Sequence, residues 1–144
     1  FTVFLSLHLV GAHYTYAETP FGVLLQNLLD LERNHYDRIV HFSFGLLIAY
    51  PFRELLLRAA GLRRSWSYLL SVALVLAFSN FYEIIEAIVA EIVSPELGSA
   101  YLGTQGDIWD AQKDAFVAFL GAVIAMTFTW LGTLGAAQPT GDRR

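Results

Sequence analysis

The chain has no cysteine and few charged residues, and each shortage excludes a class of protein. Without cysteine, its 144 residues can form neither disulfide bridges nor thiolate metal sites. Charged residues make up 15% of the chain, whereas soluble domains usually contain about 25%. Hydrophobic residues reach 56% and occur in blocks too long for a soluble core of this size to bury. The composition therefore predicts an integral membrane protein.

Motifs typical of common soluble functions are also absent from the sequence. It contains no glycine-rich phosphate loop after a strand, no Gly-x-Ser-x-Gly element and no basic nucleic-acid patch. We therefore expect no nucleic-acid partner. The chain begins with Phe1 rather than methionine, and we expect its natural N-terminus to be incomplete. Residues 1–144 are interpreted as a single membrane domain.

Four apolar blocks predict an all-α, polytopic bundle of transmembrane helices. Residues 1–10 are too short to cross a bilayer, which takes about 20 residues, so a partial span over about 1–12 is expected. The blocks at 39–57, 66–93 and 115–137 are long enough. They predict spans at about 38–58, 66–93 and 112–136.

The segments between these blocks carry helix caps and turn residues. Thr19 and Pro20 predict the start of a short interfacial helix that continues to Leu31. Asn34 is expected to cap the second block, and Pro51 is expected to kink it. Residues 59–65 are interpreted as a hinge. Residues 94–107, with one proline and three glycines, are interpreted as a loop.

Charge distribution predicts the orientation of the chain. If three spans cross, residues 59–65 and the C-terminal tail share one side, which has six arginines at or near it. The opposite side has three basic residues and eleven of the thirteen acids, a net charge of −8 against +4. The positive-inside rule then places the hinge and the C-terminus in the cytoplasm of a cell with an inner membrane.

Acidic and histidine residues gather at the outer ends of the predicted helices. Several pairs stand three or four residues apart and therefore share a helix face. The residues interpreted as metal ligands are His13, Asp37, His41, Glu83, Glu86, Asp110 and Asp114. A carboxylate in lipid costs at least about 2.5–3.5 kcal/mol, and the nearby cations are too few to neutralise so many. A divalent metal ion is therefore expected, with Zn, Mn, Fe or Mg as candidates.

Several of these residues also have a purely structural interpretation. Asp107 and Asp110 suit a helix N-terminus, as do Asn34 and Asp37. His8 suits a packed, hydrogen-bonded histidine, and His13 an interfacial one. Capping and surface pairing explain four residues least, because these lie further into their helices. The four are His41, Glu83, Glu86 and Asp114.

Four sequence segments resemble the YjdF-type family of bacterial inner-membrane proteins. They are Gly-Ala-His-Tyr-Thr-Tyr at 11–16, Arg-Asn-His-Tyr-Asp-Arg-Ile-Val-His-Phe at 33–42, Tyr-Glu-Ile-Ile-Glu at 82–86, and Leu-Gly-Thr-Gln-Gly-Asp-Ile-Trp-Asp-Ala-Gln-Lys-Asp at 102–114. The Asp-Arg-x-x-His-Phe element at 37–42 is also distantly similar to the VanZ family. The resemblance implies a membrane location and further N-terminal spans, and it implies no reaction.

Three functions are compatible with this sequence. The first is an intramembrane hydrolase or transferase for a lipid or lipid-linked phosphate, with Glu83, Tyr82 and Arg38 as catalytic residues. There Tyr82 would act as an acid, with Tyr14 and Tyr16 as alternatives, and Arg38 or Lys113 would hold an anionic head group. The second is an ion or small-molecule transporter. The third is an accessory subunit of a larger membrane complex or a homo-oligomer. Membrane lipids are expected partners in each case.

Overall fold

The computed structural model describes residues 1–93 and 95–136, with the backbone alone at 95, 96, 99, 100, 135 and 136. Six helices lie within these residues: α1 (Thr2–His13), α2 (Pro20–Leu28), α3 (Tyr36–Arg58), α4 (Arg64–Ile92), α5 (Pro95–Leu102) and α6 (Asp110–Ala136). Three of them, α3, α4 and α6, are long and apolar enough to cross a membrane. The all-α prediction is confirmed, and these three candidate spanning helices coincide with the three predicted spans. Ala137, the predicted end of the last apolar block, lies outside the described residues.

Small residues let α3 and α6 pack closely along much of their length. A methyl group at Gly45 would overlap the Ala118 carbonyl, and one at Gly121 would overlap the Phe42 carbonyl. Close backbone approach through small residues is the usual way in which helices associate in membranes. Because Gly45 lies one turn after His41 and Ala118 one turn after Asp114, this contact sets the spacing of polar residues on the two helices.

The apolar core lies where the three spanning helices meet. Ala49, Val75, Ala118, Ala122 and Met126 are buried there. A second cluster, Tyr16, Tyr36 and Val40, joins α1 to α3, with Phe4 and Leu7 packed against it. Large apolar residues such as Phe81, Phe116 and Phe128 are exposed on the bundle surface. A bilayer would cover such residues without any protein partner.

Helices α2 and α3 agree with the local sequence predictions in part. Thr19 is the N-cap of α2 and Pro20 occupies its first turn, as predicted. The helix ends at Leu28 rather than Leu31, and Asp30 adopts φ +49° in the following turn. Pro51 lies inside α3, which continues to Arg58. The kink expected at Pro51 stays a prediction.

The interpretation of residues 94–107 as a loop was wrong over most of its length. Helix α5 runs through Pro95–Leu102 and packs on α4. Proline is favoured in the first turn of a helix, because its missing N–H has no helical partner there. Gly98 is tolerated because α5 approaches α4 so closely that a side chain there would meet the Ala90 carbonyl. The turn that follows, Gly103–Gly106, does contain left-handed residues.

Candidate metal and catalytic site

Polar side chains from three spanning helices meet at one end of the bundle, which we call the site end. The N-terminus of α3, the C-terminal half of α4 and the N-terminus of α6 each contribute. We define the inner group as Asp37, His41, Glu83, Glu86 and Asp114. Four of the five are buried, and Asp114 is the most enclosed at 1% exposed. The structure thus brings together the four residues that structural roles explain least.

His41 connects α3 to α4 at the centre of the inner group. Its Nε2 lies 3.1 Å from Glu83 Oε1 and 3.6 Å from Asp37 Oδ1. Its Nδ1 is hydrogen-bonded to Ser79 Oγ at 3.0 Å. A hydrogen bond at one ring nitrogen fixes the orientation of the other, which is how metal-binding histidines are usually held. Ser79 was not among the predicted residues.

Three carboxylates converge beside His41. Asp37, Asp110 and Asp114 each offer an oxygen within 4.8 Å of the other two. Two oxygens bound to one ion at about 2.1 Å can lie at most about 4.2 Å apart. Three oxygens spaced evenly around such an ion lie about 3.6 Å from one another, so the three carboxylates are compatible with a shared ion after side-chain adjustment.

Two buried carboxylate oxygens of the inner group, Glu83 Oε1 and Asp114 Oδ1, have no hydrogen bond. Glu83 Oε1 lies 3.1 Å from His41 Nε2. Asp114 Oδ1 is buried without a hydrogen bond, and the nearest cationic nitrogen, Arg38 Nε, lies 3.8 Å away. An uncompensated buried carboxylate oxygen is costly, since such groups are normally paired or bound to metal. Asp114 is therefore the residue at this end that most needs a cation.

A second set of residues, the outer group, lies beside the inner one. It consists of Arg33, Arg38, Asp107, Asp110 and Lys113. Arg33 Nη1 lies 2.6 Å from Asp110 Oδ1. Asp107 Oδ2 lies 2.6 Å from both Arg38 Nη2 and Lys113 Nζ. The hydrogen bond from Lys113 is the main cause that lowers the pKa of Asp107 to about 2. The outer group is thus joined by several ion pairs, and Arg38 Nε also lies 3.8 Å from Asp114 Oδ1 of the inner group.

The two groups differ sharply in charge balance. The outer group has three cationic side chains for two carboxylates, whereas the inner group has four carboxylates and one histidine. Arg38 and Lys113, predicted to hold an anionic head group, are engaged with Asp107. Arg33 was missed by the sequence interpretation, although it stands one turn before Asp37. The excess of acidic side chains is concentrated in the inner group.

The segments that precede α3 and α6 are joined by hydrogen bonds between the Gln105 side chain and the Asn34 backbone. Gln105 accepts a hydrogen bond from the Asn34 N–H and donates one to the Asn34 carbonyl, both at 2.9 Å. Arg33 adds a hydrogen bond to the Thr104 carbonyl at 3.0 Å. Asn34 Oδ1 accepts the Tyr36 N–H at 2.9 Å, but the N-cap of α3 is His35 rather than the predicted Asn34. These contacts fix the starts of α3 and α6 relative to each other.

A hydrogen-bonded chain of aromatic residues approaches the inner group from α1. Tyr16 is hydrogen-bonded to His8 Nδ1 at 2.8 Å and to the Tyr82 hydroxyl at 3.3 Å. Burial raises the pKa of Tyr16, so this hydroxyl keeps its proton. His13, in contrast, is exposed and packs edge-to-face against Tyr14, apart from the other predicted ligands. On α1 it is therefore His8, not His13, that faces the site.

An apolar cavity of about 210 Å³ adjoins the inner group. Asp37, His41 and Tyr82 form its polar wall. Its other walls are largely aromatic and aliphatic side chains of α1, α3 and α4, including Phe4, Phe44, Phe78, Phe81 and Ile85. A cavity of this kind has space for hydrocarbon beside titratable groups.

Comparisons with known proteins agree with this architecture. Residues 1–133 match the family model described as "Predicted membrane protein (DUF2238)". The chain is also 42% identical over 121 residues to the inner membrane protein YjdF of Escherichia coli strain K12. That match covers 83% of this chain and 57% of the relative, so the chain spans little more than half the relative's length.

No solved structure matches the chain, and the VanZ resemblance is not shown by these matches. The match to the family model covers most of the sequence. The three apolar helices agree with a multi-pass topology. The chain therefore belongs to the DUF2238 membrane protein family and is a multi-pass inner-membrane protein of the YjdF type.

Proposed function

We propose that the inner group binds one divalent metal ion and that the chain is a membrane enzyme for a lipid or lipid-linked phosphate. The observation that carries the proposal is the buried Asp114 oxygen without a hydrogen bond, beside Asp37 and Asp110. Four inner carboxylates share one histidine as their only cationic partner within the group. A divalent ion would supply the missing charge.

The proposed ligands are Asp37, Asp114, His41 and Glu83, with Asp110 shared between the metal and Arg33. A mixed oxygen and nitrogen ligand set suits Zn²⁺, Mn²⁺ or Fe²⁺, whereas carboxylates alone would suit Mg²⁺. A bound ion of this kind lowers the pKa of a coordinated water and polarises a phosphoryl oxygen. Glu86 is buried one turn after Glu83. It adds a further negative charge close to the proposed ligands.

The apolar cavity supports a lipid as the substrate. Its hydrocarbon walls would take part of a lipid chain, while Asp37, His41 and Tyr82 face the polar end. In hydrolysis, a water oxygen would bond to phosphorus, and the phosphorus–oxygen bond to the leaving group would break. Glu83 would take the water proton, and Tyr82 would donate a proton to the leaving oxygen. In a transferase an alcohol would replace the water.

The metal proposal predicts opposite behaviour for two acids of the same type. Asp114→Asn should lower metal affinity at least tenfold, because it removes charge from the ligand group. Asp107→Asn removes the same charge from the outer group and should leave the affinity within about twofold of the parent. The measurement is elemental analysis and competition titration of purified full-length protein loaded with each candidate metal.

Two results would contradict the proposal. One is a parent protein that binds none of the four metals after loading. The other is an equal loss of affinity in Asp114→Asn and Asp107→Asn, which would indicate a general electrostatic attraction rather than a site. Thermal stability measured with and without a chelator gives a second readout, since a ligand that binds only the folded state raises its stability.

One observation favours an accessory-subunit role instead. The residues of the outer group are paired with one another by several ion pairs, as expected of residues with a structural role. A partner that co-purifies at fixed stoichiometry, together with no metal in the parent protein, would favour this alternative. A metal-loaded chain that is active without a partner would exclude it.

We also infer that the site end faces away from the cytoplasm, on the basis of the positive-inside rule. Because the chain has no cysteine, single cysteines can report topology directly. Glu18→Cys, exposed at the site end, should react with a membrane-impermeant maleimide added to intact spheroplasts. Ala60→Cys, exposed in the hinge, should react only after the membrane is opened. The reverse pattern would invert the proposed orientation.

A further inference from the structure

The opposite end of the bundle, where α3 turns into α4, contains a cleft that shares no residue with the site. We call this the hinge end. Helices α4 and α6 separate there to leave about 730 Å³ between them. The walls are mostly apolar, with Leu69, Val72, Val123 and Met126 among them. A cleft between two spanning helices opens toward the bilayer.

Polar residues lie at the mouth of this cleft. Arg64 and Ser65 stand at the first turn of α4, and Trp130 and Thr133 face them from the end of α6. Tryptophan is typical of the level at which lipid head groups begin. The cleft thus joins an apolar interior to a cationic, hydrogen-bonding rim.

The positive charge of the hinge end favours an anionic ligand in the cleft. Glu54 is held by two arginines, since its oxygens lie 3.1 Å from Arg53 Nη1 and 2.9 Å from Arg58 Nη2. Within the described part of the chain, no carboxylate forms a salt bridge with Arg63 or Arg64. An anionic head group therefore meets an excess of positive charge at the rim. A second copy in the same orientation would instead bring its own arginines to the same depth.

Arg53 holds the ring of Tyr68, which lines the cleft, in a fixed position. Its guanidinium lies 4.4 Å from the centre of the Tyr68 ring, and its Nη2 donates to the Tyr68 hydroxyl at 3.3 Å. Tyr68 lines the cleft, so its ring is held from behind by a buried cation. Preformed walls lower the entropic cost of ordering a flexible ligand.

We propose that the cleft between α4 and α6 binds an anionic phospholipid, with its phosphate at Arg64 and an acyl chain between the helices. The proposal does not depend on a metal or on a reaction at the site end. It can be tested by quenching of Trp130 fluorescence by brominated lipids in bilayers. Trp66→Phe and Trp109→Phe provide a background in which Trp130 is the sole tryptophan.

In this background, brominated phosphatidylglycerol should bind about fivefold more strongly at Trp130 than brominated phosphatidylcholine, at equal mole fraction. Arg64→Gln should reduce the ratio of phosphatidylglycerol to phosphatidylcholine binding to nearly one. Arg63→Gln removes the same charge next to the cleft and should preserve most of this ratio. Equal effects of the two variants would overturn the proposal in favour of diffuse attraction. So would the absence of any preference, or shielding of Trp130 from both lipids by a second copy.

Discussion

Gly45→Ala is expected to destabilise the protein by about 1–3 kcal/mol, although alanine is the better helix former. The added methyl group would overlap the Ala118 carbonyl. A backbone atom cannot turn aside as a flexible side chain can, so α3 and α6 must separate. Because His41 and Asp114 each stand one turn from this contact, the proposed metal binding should weaken together with stability.

Gly132→Ala is the matched control for this effect. Gly132 also lies in α6, but an added methyl group there meets no atom within 4 Å. The same substitution should therefore be neutral or stabilising by up to about 1 kcal/mol, since glycine weakens a helix interior. Reversible unfolding in mixed detergent micelles measures both. Equal changes in the two variants would show that the contact between α3 and α6 does not limit stability.

Arg33→Gln is expected to destabilise the folded chain by about 3 kcal/mol. Arg33 and Asp110 form a buried ion pair, with side chains 10% and 6% exposed. Removing one member leaves the other charge buried with weaker compensation, and this usually costs about 3–5 kcal/mol. The lower figure applies because Arg38 Nη2 also lies 3.3 Å from Asp110 Oδ1.

A double substitution separates the ion pair from other roles of Arg33. If the pair dominates, Arg33→Gln combined with Asp110→Asn should cost less than the sum of the single changes. Arg63→Gln provides a control at an exposed arginine and should change stability by less than about 0.5 kcal/mol. Additive single and double effects would indicate that the loop contacts of Arg33, rather than its charge, stabilise the protein.

Much of the fold could be predicted from hydropathy, since spans of about 20 apolar residues have few alternatives. The starts of α3, α4 and α6 lie about two residues before the predicted ones. Helix α5 was missed because Pro95 and Gly98 are read as helix breakers in isolation. Their compatibility with a helix depends on packing against α4, and such tertiary context is not visible in local sequence.

The candidate site was predicted in part. Residues three or four apart on one helix can be placed together from sequence, and Asp37 with His41 is the simplest case. Which helices face each other depends on contacts such as Gly45 with Ala118, and these require the structure. Arg33 was given no role in the site because the prediction sought acidic and histidine ligands rather than the cations that pair with them. His13 was preferred to His8, but the structure places His13 on the exposed surface of α1 and His8 at the cavity.

The cavity beside Asp37 has a practical consequence for any assay. Phe78, Phe81 and Ile85, which line it, also belong to the exposed surface of α4, where a bilayer would cover them. A molecule that reaches Asp37 this way would arrive sideways from the membrane and not from water. Its effective concentration would then be its mole fraction among the lipids. Turnover by the proposed enzyme should depend on that mole fraction and not on the bulk concentration of vesicles.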